Sequence, residues 1–519
     1  MKRIVVCFAL LSIAFSVRAE PARRKYLVAT ERPFREEKLG KRDFVRFAGV
    51  DGYSVELSDE EATALAATNG VRYVEPDVER FVSTMPSAGP SPHLDVAQMT
   101  PWGVTSVHAP PVWFLTRGEG VRVGIIDTGI DPAHPDLQAA YRGGYDFVHN
   151  DTVPEEEAEG DALGHGTRMA GIIAASDNGF GLIGAAPGVS LYALKIFPKN
   201  GGALTSNVIR AVEWAIAQKL DVVSCSFGGE TPSRLEEEAY ARARRANVLV
   251  IAAVGNHASW VRYPAAYPSV VGVGAIDRMH NIASFSNTGA EVDFVAPGVD
   301  LVSTMISGRG HIGSITLDDG TSLPAHPFTS SRSGAVEGMP VDCAYGSSID
   351  FPPATAQNIA LVQREGTPVP LKATNAVAAQ AAALVVINSA PDDLPMRGSL
   401  GTDDPRWPVA VSVSRQTGQI IRARGASMLV DSYVTDYDAA DGASMSAPHV
   451  AAIAALVRAL RPDLNADEVL ALLASTAADL GDAGRDPVYG YGLVDAYAAA
   501  AAAVPERMPA KKRRRSAGH

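Results

Sequence analysis

Only three of the 519 residues are cysteine, at positions 7, 225 and 343, which excludes a disulfide scaffold. A basic excess is missing too: the formal net charge is −12, which argues against nucleic acid as a partner. There is no His-Glu-x-x-His, and the histidines fall at no metal-ligand spacing, which argues against a metal-dependent hydrolase. Beyond the N-terminus no uninterrupted apolar stretch reaches the roughly 20 residues that a bilayer crossing needs. What is present, 46% hydrophobic and 20% charged residues, is a globular composition and excludes wholesale disorder. At roughly 150 residues per domain the length suggests about three domains.

The N-terminus reads Met1-Lys2-Arg3, an apolar run from Ile4 to Val17, then Val17-Arg18-Ala19. A basic start, a short apolar run and small residues before a cut mark a secretory signal peptide, assigned to residues 1–19. An uncleaved anchor is the other reading, and the run is short for it. Removal of the signal would take Cys7 with it and place the product outside the cytoplasm, extracellular or periplasmic. At the far end, Lys511-Lys512-Arg513-Arg514-Arg515 makes residues 501–519 a basic, disordered tail, because like charges in a block repel. A phosphate-binding patch is the alternative there.

Residues 20–84 are dense in charge, with Arg23-Arg24-Lys25, Glu36-Glu37-Lys38 and Asp59-Glu60-Glu61. Strands are expected at Tyr26–Ala29, Tyr53–Leu57 and Val71–Asp77. Ser58 precedes Glu61 by three residues, a capping-box spacing that opens a helix through Ala67, with Gly70 closing it. The result is a small α+β unit with little apolar mass of its own.

Three further segments carry chemistry. Val121–Ile126 is a buried-strand pattern that delivers Asp127 to a sheet edge beside Gly129. Gly164-His165-Gly166-Thr167 opens a helix of small and apolar residues, where glycine permits close backbone approach. Asp441-Gly442-Ala443-Ser444-Met445-Ser446-Ala447-Pro448-His449 opens a long apolar segment from Val450 to Leu460, with a serine hydroxyl beside first-turn N–H groups. Each alone has an ordinary explanation: the aspartate as a cap or metal ligand, the histidine as a core residue, the serine as an N-cap.

Together, in the order Asp…His…Ser, they resemble the three active-site motifs of the subtilisin-like serine proteases. Val250–Asn256 resembles the strand end that carries this family's oxyanion-hole asparagine. Ser226-Phe227-Gly228-Gly229 resembles its substrate-binding strand, and residues 52–77 resemble its inhibitor propeptide. The resemblance implies that Ser444 attacks the scissile carbonyl, His165 takes its proton and Asp127 orients the imidazole. Asn256 would hold the developing oxyanion. Ala443 stands where the family usually has threonine, and Ser446 where alanine or glycine is common; neither is a triad position. His257 would lie near the primary specificity pocket.

The same resemblance implies a structural calcium site and no catalytic metal. Its ligands would be side-chain oxygens of Gln98, Asp136 and Asn178 with carbonyls of Ser176, Phe180 and Leu182, an all-oxygen set suited to Ca²⁺. An Asn-Gly turn without an ion is the plainer reading of the loop. Asn256 and Ser444 lie far apart for a compact member of the family. The extra length, with strands at Asn358–Arg364, Leu384–Asn388 and Trp407–Ser412 and a helix at Leu371–Ala383, resembles an inserted protease-associated (PA) domain. It holds no catalytic constellation, so a role in restricting or recognising substrate is expected, with an inert insert as the alternative.

The expected fold is therefore α/β: a subtilisin-like parallel sheet with helices on both faces, a small α+β propeptide and an inserted β-rich PA domain. Expected boundaries are a propeptide at 20–84, a catalytic domain at 95–305 and 433–500, and the insert at 306–432. The expected activity is that of a secreted serine endopeptidase, a self-processed zymogen working through an acyl-enzyme. Its partners would be protein or peptide substrates and its own propeptide as intramolecular inhibitor, with no nucleic acid, no membrane span and a monomeric state.

Overall fold

The computed structural model describes residues 22–508 except 41, 83–84, 87–97, 160–161, 329, 390–394, 397 and 402–403. The expected signal peptide therefore lies outside the described residues. Two compact units emerge, one of residues up to 47 with 51–77, the other of 48–50 with everything from Val78 onward.

The first unit is a four-stranded antiparallel sheet ordered Phe44–Arg46, Gly52–Leu57, Arg24–Thr30, Val71–Pro76, with the helix Asp59–Ala66. The expected capping box is formed: Ser58 Oγ accepts from Glu61 N, and the Glu61 carboxylate accepts from Ser58 N. Alternation along the strands sends Tyr26, Val28, Tyr53 and Val55 inward against Leu39, Ala62 and Leu65. The edge strand Phe44–Arg46 was not expected; at three residues it is too short to show an alternating pattern.

The second unit is built on a seven-stranded, all-parallel sheet. Its order is Val292–Pro297, Val271–Ile276, Leu249–Ala253, Val222–Cys225, Arg122–Asp127, Ser190–Lys195, Tyr141–Asp146. The first strand in sequence lies inside the sheet, with later strands added on both sides, so Arg122–Asp127 is the topological switch point. In open α/β sheets, ligands bind beyond the carboxyl end of the strands at such a point. The helix Ala443–Leu460 is long and apolar enough to cross a membrane by length and composition, yet 17 of its 18 residues are buried. It is a core helix packed on the central strands.

The antiparallel pair Leu301–Thr304/Tyr437–Asp441 is followed by a further sheet that opens with the antiparallel pair Gly310–Leu317/Met428–Thr435. That sheet has eight strands, ordered 334–338, 428–435, 310–317, 322–327, 409–413, 383–387, 359–363, 340–342, of which the last four pair in parallel. Leu361, Val385 and Val411 face one apolar layer, and Ala360, Val362, Leu384, Val386 and Ala410 face the other. Both faces are covered, which is why the strand sequences read as unbroken apolar runs. Two boundaries shift from expectation. The inserted sheet runs to Thr435 instead of residue 432, and the helix Ala496–Ala503 with the turn Pro505–Arg507 carries ordered chain past residue 500. The helix expected at 371–383 spans Val369–Ala378, because Gln380 adopts φ 57° and ends it.

Candidate active site

Asp127 ends its strand at the switch point and is 1% exposed. Its Oδ1 accepts from Thr128 N at 2.7 Å and lies 2.6 Å from His165 Nδ1. His165 is the first residue of the helix His165–Ala174, all ten of whose residues are buried. Small residues make that burial feasible: a Cβ on Gly166 would stand 2.1 Å from Gly129 O, and one on Gly171 would stand 2.3 Å from Thr304 Oγ1. The helix start lacks a side-chain cap, and Thr128 Oγ1 takes the Gly166 N–H instead, at 2.9 Å.

Ser444 lies in the first turn of the core helix, after Gly442 at φ 141°. Pro448 has no N–H for the Ser444 carbonyl four residues back, and Ser226 Oγ donates to it at 2.9 Å in replacement. This gives Ser226 a structural role that the sequence did not reveal. Ser446 Oγ bonds Pro297 O at 3.1 Å, so the second departure from the usual family pattern is a satisfied buried hydroxyl. His165 Nε2 and Ser444 Oγ are both buried without a hydrogen-bond partner among the described residues. Asn256 Oδ1 accepts from Ala443 N at 2.8 Å, which turns the donor end of the amide away from that backbone. His257 is exposed, and its N–H donates to Asn287 Oδ1.

Behind Asp127 lies a residue that the sequence reading passed over. Glu156 Oε2 accepts from Thr128 Oγ1 at 2.8 Å, while its Oε1 is buried without a partner. Burial, reinforced by the Asp127 charge and opposed by the Thr128 bond, pushes this carboxyl up to about 8. In a run of three glutamates, nothing in the sequence singles out the one that turns inward.

Phe227–Gly228 forms a short strand paired antiparallel with Glu79–Val82, in the register Phe227↔Val82 and Gly228↔Phe81. On its other edge the same segment pairs with Ala203–Leu204. Two residues further on, Met85–Pro86 pairs with Asp441 and Ala440, immediately before Ser444. Gly229 leaves this slot and pairs instead with Tyr263. Residues 79–82 and 85–86 thus lie as extended peptide, the first piece on Phe227–Gly228 and the second on Ala440–Asp441, three residues before Ser444.

The residues expected to hold calcium lie together, although Phe180 is tied in by its N–H and not by the expected carbonyl. Gln98 Nε2 lies 2.6 Å from Ser176 O, 3.2 Å from Leu182 O and 3.5 Å from Asn178 Oδ1, so three oxygens converge on one point. Asp136 is fully buried; its Oδ1 accepts from Asn178 Nδ2, and its Oδ2 from Leu182 N and Tyr437 Oη. Phe180 joins through its N–H to Asn178 Oδ1. This donor set fits a hard cation. Asp146, His149 and Glu157 also gather carboxylate and imidazole atoms, but the Lys195 ammonium pairs with both acids and supplies the countercharge.

Asp127 and His165 meet at the switch point of a doubly wound parallel sheet, and the helix that carries Ser444 packs against the helix that His165 opens, an arrangement of the serine-peptidase type of α/β protein. Comparison with known proteins gives the family. The Subtilase family matches residues 118–335 and 369–492, and the peptidase inhibitor I9 family matches residues 28–83. Alkaline protease of Alkalihalobacillus alcalophilus is 38% identical over 328 residues, 58% of this chain and 81% of that protein. Subtilisin E of Bacillus subtilis is 36% identical over 271 residues, 51% of this chain and 66% of that protein. Among solved structures, the psychrophilic subtilisin-like protease Apa1 of Pseudoalteromonas sp. AS-11 superposes with a TM-score of 0.60 at 30% identity, covering 79% of this chain and 99% of that one. The chain belongs to the subtilase family: it is a subtilisin-like serine endopeptidase with an I9-type propeptide.

Proposed function

We propose that Asp127, His165 and Ser444 are the catalytic triad of a secreted endopeptidase that releases itself from its own propeptide. Ser444 Oγ attacks the scissile carbonyl as His165 Nε2 takes its proton. The 2.6 Å contact from His165 Nδ1 to Asp127 Oδ1 fixes the tautomer and stabilises the imidazolium. The Asn256 amide, oriented by Ala443 N, and the Ser444 N–H receive the oxyanion. His165 then protonates the leaving amine, and water hydrolyses the acyl-enzyme by the same route in reverse. Calcium, when bound by Gln98, Asp136 and Asn178 side chains and the Ser176, Phe180 and Leu182 carbonyls, would cross-link the N-terminal segment of the catalytic domain to its loop; it takes no part in the chemistry. The inserted domain, which follows Met305 beside Gly164, would restrict or recognise substrate.

The observation that carries this reading is the strand pairing of residues 79–82 with Phe227–Gly228 and of 85–86 with Ala440–Asp441. Strand pairing up to Val82 on one side and from Met85 on the other leaves the Ser83–Thr84 bond as the first one cut. Expression of the parent and of Ser444→Ala, followed by N-terminal sequencing, tests it. The parent should yield a chain beginning at Thr84 or at a residue trimmed from it, and the variant should remain uncut. A variant that still matures alone, or a parent whose first cut lies elsewhere, would overturn the assignment.

A further inference from the structure

Alternation along an extended strand places Val82 and Arg80 on the same side, with Phe81 on the other. Phe81 is accordingly exposed at 52%, whereas Arg80 is fully buried. The Arg80 side chain runs inward past Gly229, where a Cβ would come within 2.8 Å of Nη1. Its guanidinium meets Glu236 through two bonds, Nε to Oε1 at 3.2 Å and Nη2 to Oε2 at 2.5 Å, and the Glu236 side chain is as deeply buried as its partner. Tyr267 Oη donates to Glu236 Oε2 at 2.8 Å. Glu236 sits in the first turn of the helix Arg234–Arg245, capped by Ser233, so it belongs to the rigid frame of the catalytic unit.

We infer that the pocket floored by Glu236 is a guanidinium-binding subsite, selecting arginine four residues before the cut bond in protein and peptide substrates. This rests on the proposed Ser83–Thr84 cleavage, which makes Arg80 the fourth residue upstream. Once residues 79–83 leave, the carboxylate remains in a recess built to exclude water around a cation. An apolar side chain entering there would strip the carboxylate of solvent without replacing its charge partner. A guanidinium restores both bonds with the geometry of a planar fork, which an ammonium cannot reproduce.

The test uses the mature enzyme and a peptide series identical except for Arg, Lys or Leu at that position. Labelling by a serine-directed phosphonate serves as the parallel readout of the serine chemistry. The arginine peptide should be favoured over leucine in kcat/KM by about 100-fold and over lysine by about 10-fold. In Glu236→Gln the Arg-to-Leu ratio should collapse to below about 10-fold. Should that variant fail to fold, peptides spanning residues 79–83 with Arg80 or with leucine in its place are compared as product inhibitors of the unaltered enzyme; the arginine form should bind more tightly. An enzyme that is labelled and cleaves all three peptides alike, or inhibitors of equal strength, would overturn the subsite. Absence of both labelling and cleavage would instead overturn the catalytic reading beneath it.

Discussion

Replacing His449 by glutamine should flatten the acid limb of the protein's stability curve. His449 lies on the core helix five residues after Ser444 and is 1% exposed. Its Nδ1 lies 2.8 Å from Met445 O, which makes Nδ1 the protonated nitrogen, and Nε2 faces the backbone of Gly103. Burial pushes the imidazole down to about 4, with the Met445 bond working weakly against it. The sign follows from the two states. Above pH 6.5 both folded and unfolded chains hold the ring neutral, so it contributes no slope. As pH falls from 6.5 to about 4 the unfolded chain gains a proton that the folded chain refuses, and stability declines. The slope approaches 1.4 kcal/mol per pH unit, and the total over that window is about 3 kcal/mol. Below it the decline from this group levels off. The measurement is a series of urea titrations between about pH 7 and pH 4, performed on a Ser444→Ala background to prevent self-digestion. Glutamine keeps an amide donor near Met445 O but cannot titrate. The variant is free to be less stable throughout; the readout is the difference in slope. Parallel curves for parent and variant would refute the reasoning, because they would mean that the buried ring accepts its proton as readily as an exposed one.

Glu156→Gln should act at the opposite end of the pH scale. The folded carboxyl holds its proton up to about pH 8, whereas the unfolded one releases it near 4.5, so this group makes stability fall as pH rises between those values. The variant should lose up to about 1.4 kcal/mol per pH unit of that decline and should also shift the alkaline side of the kcat/KM profile, since it removes a charge that appears beside Asp127; identical profiles for stability and rate would count against it. Asp136→Asn addresses the calcium assignment. Calcium at about 100 times its Kd would stabilise the parent by about 2.7 kcal/mol, so a chelator should lower the parent's Tm and leave the variant's nearly unmoved. Equal responses in both proteins would exclude Asp136 as a ligand.

What could be read in the sequence was whatever local physics decides. The Ser58–Glu61 box was legible because both partners lie within one helical turn. The positions of Asp127, His165 and Ser444 were legible because each is announced by its immediate neighbours: an apolar strand before the aspartate, glycines around the histidine, and Gly442 with small residues around the serine. What remained hidden was decided by the burial of one residue among equivalent neighbours. Glu156 belongs to the run 155–157 and Glu236 to the run 236–238, and nothing within either run distinguishes one glutamate from its neighbours. Only tertiary packing turns Glu156 toward Thr128 and Glu236 toward Arg80. The same holds for Ser226, whose value lies in replacing the one helical bond that Pro448 cannot make, 218 residues away from Ser444 in sequence. These three side chains share a physical signature: each bonds a buried polar group, the Thr128 hydroxyl, the Arg80 guanidinium or the Ser444 carbonyl. Residues that tune a site, unlike those that perform its chemistry, are therefore to be sought among the partners of buried polar atoms, where no short motif marks them.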